Sequence, residues 1–184
     1  MTFPPIACQA VLLFVVFVAG VFDYRYRRIP NWSVLMGLVC GFGLNMFLAS
    51  SVWAGLLTSL RGLGLAFLIY FPMYLLRGMG AGEVKVMAAI GSIVGAANWL
   101  GIFLITAILG GIVAVLLLLA RHRLRRVLAN VGFLVSQLLL LRAPYTRREE
   151  LDIQSEKSMK LPHGVVIAWG SLLFLVVAWI RAPR

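Results

Sequence analysis

Gly78-Met79-Gly80-Ala81-Gly82-Glu83-Val84-Lys85 interrupts an otherwise apolar chain. Three glycines and a glutamate stand there between two long apolar runs, one closing at about Leu76 and the next opening at Val84. The surroundings decide how the stretch is read. A chain of 184 residues that is 62% hydrophobic and only 12% charged is too apolar to hide its surface in one water-soluble core. Lipid offers no water to free N–H and C=O groups, so apolar runs of about 20 residues must be helical there. The composition predicts an all-α integral membrane bundle that forms a single domain over residues 1–184.

Working outward, six apolar runs emerge: Ile6 to Phe22, about Trp32 to Ala49, Val52 to Leu76, Val84 to Ala97, Leu100 to Ala120, and Gly164 to Ile180. The first has no basic residue before it and Arg25, Arg27 and Arg28 after it. This is the reverse of a secretory signal and predicts a retained helix with its N-terminus outside. Pro30 restarts the chain, with Asn31 placed to cap the second helix. Gly37 with Gly41, and Gly91 with Gly95, are small-residue pairs suited to close helix packing inside the bundle. Trp53 suits an outer interface and Arg61 a snorkelling position, and Pro72 predicts a kink ahead of the glycine-rich stretch. A turn is expected at Asn98-Trp99.

Segment 121–162 is a basic cytoplasmic loop holding nine of the seventeen Lys and Arg residues and four of the six acids. Within it, Leu124 to Leu141 reads as an interfacial helix on the cytoplasmic leaflet, with a seventh crossing as the alternative. Six crossings give three cytoplasmic loops with three, two and nine basic residues, against Arg61, Arg181 and Arg184 outside. That asymmetry predicts a multi-pass inner-membrane protein with both termini outside. It also accounts for the net charge of +11 without nucleic acid as a partner. Cys8 and Cys40 lie within apolar runs and read as small hydrophobes. Oligomeric state is left open.

Acids are scarce, which makes them informative. Glu149, Glu150, Asp152 and Glu156 share the basic loop and read as a solvated, compensated surface. Asp23 and Glu83 instead fall at the cytoplasmic ends of membrane helices, where a carboxylate is costly and therefore a functional candidate. The plain alternative is that each pairs with a local cation, Arg25 or Arg27 for one and Lys85 for the other. Gly78, Gly80 and Gly82 argue for more, because a loop stripped of side chains lets a foreign backbone come close. No Walker spacing supports a phosphate-cradling loop. Two facing carboxylates hydrolyse an amide without metal: one takes a proton from the attacking water and the other, protonated, serves the carbonyl oxygen and then the leaving nitrogen. The only histidines are His122 and His163, no HExxH is present, and the residues call for no cofactor. His163 reads mainly as an interfacial residue at the start of the last helix, with contact to the site as the alternative.

Asp23-Tyr24-Arg25-Tyr26-Arg27-Arg28-Ile29-Pro30-Asn31 resembles the first active-site motif of the type IV prepilin peptidases, especially the short form of the tight-adherence (Tad) pilus type. Gly80-Ala81-Gly82-Glu83-Val84-Lys85 resembles the second, a GxGD motif followed by Val-Lys, and Leu161-Pro162-His163-Gly164 resembles the start of the final helix. The resemblance implies a membrane aspartyl protease that removes the short basic leader of prepilins, with Asp23 and Glu83 as catalytic pair. It implies that Gly80 and Gly82 shape the loop, and Pro30, Asn31, Lys85 and His163 stand in the same segments. Only 22 residues precede Asp23, so the methyl-transferring, cysteine-bearing domain of long members is not expected. The chain departs from the family at one decisive place, where Glu83 replaces an aspartate. An extra methylene moves the carboxyl by more than about 1 Å, a displacement that can cost about 100-fold in rate. Three readings stay open: a site adjusted to the longer acid, a residue changed deliberately to slow the enzyme, and a non-catalytic relative that binds pilins. A proton-relay transporter fits poorly, since both acids sit near one membrane face.

Overall fold

The computed structural model describes residues 4–76, 79–120 and 163–181. Within these residues the chain is all-α, with five helices: α1 (Ile6–Tyr26), α2 (Asn31–Leu48), α3 (Val52–Leu75), α4 (Ala81–Ala120) and α5 (His163–Arg181). Each is long and apolar enough to cross a membrane. Segment 121–162, including the expected interfacial helix at Leu124 to Leu141, lies outside the described residues, as does Gly78.

At 40 residues, α4 would measure about 60 Å if straight, twice the hydrocarbon core of a bilayer. It is not straight. Gly95 has φ 74° and ψ 169°, a conformation essentially confined to glycine. The Trp99 indole Nε1 donates to the Met87 carbonyl at 3.0 Å, whereas twelve residues of unbroken helix would separate the two by about 18 Å. The chain therefore doubles back at Gly95, and five helices supply six rods. This corrects the expected turn at Asn98-Trp99. The reversal needs a positive φ, which glycine adopts freely; Asn98 and Trp99 lie inside the returning helix, and both are buried.

Breaking a helix frees the carbonyls of the turn before the break, and in lipid those must find other donors. Side-chain amides supply them. Asn45 Nδ2, on α2, donates to the Ser92 carbonyl at 2.8 Å and the Ile93 carbonyl at 3.2 Å, and also to Ser59 Oγ on α3 at 3.0 Å. Asn98 Nδ2 donates to the Val94 carbonyl at 3.2 Å. The Gly95 break is thus tied to α2, α3 and the returning half of α4.

The closest packing joins α3 to α4, where Gly62 and Gly91 face each other so tightly that a Cβ on either would run into the other's carbonyl. Gly37 packs on Val15 and Ala89, and Gly41 on Ser92 and Ile93, the internal packing expected of them. Leu12, Val15 and Val16 of α1, Met87, Ile90, Trp99 and Ile102 of α4 and Ile167 of α5 fill the centre. Cys8 is buried there, while Cys40 is half-buried. Ser51 caps α3 by accepting from the Ala54 N–H at 3.1 Å, and Pro72 lies inside α3 three residues before its end. Asn31, expected to cap α2, is instead its first residue, and Pro30 holds the cap position. The reason is that the Asn31 side chain is engaged elsewhere, by Lys85.

α1 and α5 run antiparallel, with Asp23 against Gly164 and Gly20 against Ala168. Their far ends, Ile6 and Arg181, consequently lie together at the opposite end of the bundle. The end that holds Asp23 also gathers the starts of α2, α4 and α5.

Candidate active site

Asp23 lies in the last turn of α1, which closes at Arg27 in the left-handed conformation, with the Arg27 N–H donating to the Asp23 carbonyl at 3.0 Å. The residue is only 8% exposed, and its carboxyl group is turned towards the start of α5. Oδ2 accepts the backbone N–H of Gly164, the second residue of α5, at 2.8 Å. Free N–H groups at a helix start are a ready acceptor site for an anion. Glycine is required there: a Cβ at position 164 would stand 2.8 Å from the Asp23 Cβ and 3.0 Å from Oδ2.

Glu83 lies in the first turn of α4, and its Oε2 accepts the Gly80 N–H at 3.3 Å. This is the reach-back half of a capping box, in which a glutamate in the first turn satisfies the N–H of the residue ahead of the helix. The Asp23 and Glu83 carboxylates lie within each other's electrostatic reach, although sixty residues separate them in sequence. The Asp23 charge also acts on the ring of His163, the first residue of α5.

The loop between α1 and α2 joins the two acidic stretches. Ile29 packs where a Cβ on Gly82 would sit, 3.4 Å away. Lys85 Nζ donates to Asn31 Oδ1 at 3.1 Å, so the expectation of a plain Lys85–Glu83 pair gives way to a bridge between α4 and α2. Pro30 contributes its carbonyl, which accepts from Ser33 Oγ at 2.8 Å. Gly80 has open space on the side where a Cβ would point.

Two neighbours of the acids were not legible as such in the sequence. Tyr70 of α3, buried to 3% exposure, lies within the electrostatic reach of Glu83. Its ring meets Trp99 and Phe103 edge-on at 6.1 and 5.8 Å, and Trp99 is itself bonded to Met87, one turn beyond Glu83 on the same face of α4. A lone tyrosine in an apolar run carries no local signal of this. Gly164 likewise looks like an ordinary residue of a helix start. Among the described residues, no three His, Cys, Asp or Glu side chains gather into a group that would hold a metal ion.

Fold and site together define a multi-pass helical membrane protein with Asp23 and Glu83 at the same end of its bundle. The model of the type IV leader peptidase family matches residues 10–115, more than half of the chain, and the chain belongs to that family. Membership implies a protease of the aspartyl type, prepilin substrates and an inner-membrane setting. The matched region includes Asp23 and Glu83 and stops short of α5, so the N–H that holds Asp23 comes from beyond it. No curated protein and no solved structure matches the chain.

Proposed function

We propose that the chain is a prepilin leader peptidase of the short, Tad-pilus type, with Asp23 and Glu83 as its catalytic pair. One observation supports this above the others: the two acids that stand apart from the basic loop lie at one end of the bundle, where the loop after Asp23 packs on the segment of Glu83 through Ile29 on Gly82 and Asn31 with Lys85. In this reading Asp23, braced by the Gly164 N–H, takes a proton from water as the water oxygen bonds to the scissile carbonyl carbon. Glu83 gives its proton to the carbonyl oxygen. When the C–N bond breaks, the leaving nitrogen receives a proton from the pair. Open space beside Gly80 leaves room for the substrate backbone, and Gly82 and Lys85 fix the loop against α2. In this reading the cleavage side is cytoplasmic and both termini lie outside, which the charge asymmetry of the loops supports.

Co-expression with a candidate prepilin tests the assignment, the shortened product being read on a gel. Asp23→Asn is expected to reduce cleavage by about 100-fold or more. Glu83→Asp is expected to keep or raise it. Full cleavage by Asp23→Asn would sink the assignment.

A non-catalytic pilin-binding or assembly protein is the second reading. It draws support from the Glu83–Gly80 bond, which gives the longer acid a structural role as helix cap. It predicts co-purification with prepilin and no cleavage, even in Glu83→Asp.

A further inference from the structure

A groove of about 960 Å³ runs between α1 and α5 on the outside of the bundle. Phe14, Phe17 and Val21 form one wall, and Trp169 and Leu172 the other. Its floor is where Gly20 meets Ala168, with only 3.3 Å between the position of a Gly20 Cβ and the Ala168 Cβ. Small residues at a floor let another helix approach closely in lipid. Phe17 and Trp169, at 69% and 60% exposure, have no ring partner among the described residues.

The groove has a direction. From Leu13 to Arg25 it follows α1 for about 18 Å, and it closes on Tyr24, Arg25 and Val165. Those residues adjoin Asp23 and Gly164, the pair joined by the 2.8 Å bond. An apolar helix lying in this groove would bring its end to the end of the bundle that holds Asp23.

We propose that the α1–α5 groove is the docking surface for the membrane helix of the substrate. The inference rests on the leader-peptidase reading. It adds the face of the enzyme along which the substrate lies, and it gives α5, beyond the matched family region, a role in recognition.

The test introduces photoreactive benzoylphenylalanine in the full chain at position 17 or 169. Positions 47 and 68, equally lipid-facing on α2 and α3 at 89% and 71% exposure, serve as controls. Each variant is co-expressed with prepilin, irradiated and read for both adduct and cleavage. Prepilin adducts at 17 and 169 but not at 47 or 68 are expected, with or without cleavage; adducts without cleavage would uphold the groove while removing the peptidase reading. Cleavage without adducts at 17 and 169 would overturn the groove alone and leave it to lipid. Adducts between two copies of the chain at 17 and 169, in place of prepilin adducts, would overturn it in favour of a dimer contact. Absence of both cleavage and adducts would overturn both. As a second measurement, the Phe17→Ala, Trp169→Ala double variant is expected to lower kcat/KM about tenfold through KM, since neither side chain supports the fold; an unchanged KM counts against the groove.

Discussion

Gly164 is the residue on which the geometry of Asp23 most directly depends. Its N–H braces the carboxylate, and its missing side chain is what lets α5 come so near. Gly164→Ala places a methyl group 2.8 Å from the Asp23 Cβ, which neither backbone can accept without shifting. The variant is expected to lose prepilin cleavage and to cost about 1–3 kcal/mol in stability, as overpacking does. Thermal unfolding in detergent together with the gel assay checks both, and wild-type behaviour in both would contradict the role. Glu83 poses the opposite question, of reach. Its carboxyl caps α4 at the end of the bundle that also holds Asp23. Glu83→Gln keeps the cap oxygen and removes the ionisable group. It is therefore expected to preserve the unfolding temperature while abolishing cleavage, and unchanged cleavage at unchanged stability would mark Glu83 as a cap alone.

Among the elements, α4 carries the most information. Its reversal depends on Gly95 for backbone conformation and on Asn45 for the carbonyls that the reversal frees. Gly95→Ala is expected to destabilise by about 1–3 kcal/mol, the cost of a non-glycine residue in that region of backbone space, with the added methyl 3.0 Å from Thr58 Cγ2. Gly64→Ala is the control, because nothing lies within 4 Å of its missing Cβ; its unfolding temperature should stay level or rise. Asn45→Leu removes donors from two buried carbonyls and one hydroxyl. Interhelical hydrogen bonds in lipid are individually modest, so a loss of about 2 kcal/mol is expected. Full stability in that variant would show that the carbonyls find other donors.

For the whole molecule, six rods from five helices bring Ile6 and Arg181 to one end and the acids to the other. In the proposed topology the acidic end faces the cytoplasm, a reading supported by the fourteen basic residues assigned to that side against three on the other. A reporter enzyme that folds only outside the cytoplasm should be active when fused after Arg184 and inactive when inserted within 121–162. The reverse pattern would invert the proposed topology and move cleavage to the other face.

The all-helical membrane class and the two candidate acids could be read from the chain alone, since run length and the scarcity of carboxylates are local properties that need no partner. Asp23 and Glu83 stand out because only two acids lie away from the basic loop. The reversal in α4 falls three residues before Asn98-Trp99, because that pair has only the polarity of a loop, whereas the reversal is a matter of backbone sign that Gly95 provides. Asn31 has the composition of a cap but spends its side chain on Lys85, a residue 54 positions away. The Gly164 brace, the Tyr70 neighbour of Glu83 and the groove beside Asp23 were settled only by tertiary structure. Each joins residues from different helices, and a contact between distant helices leaves no periodicity in either.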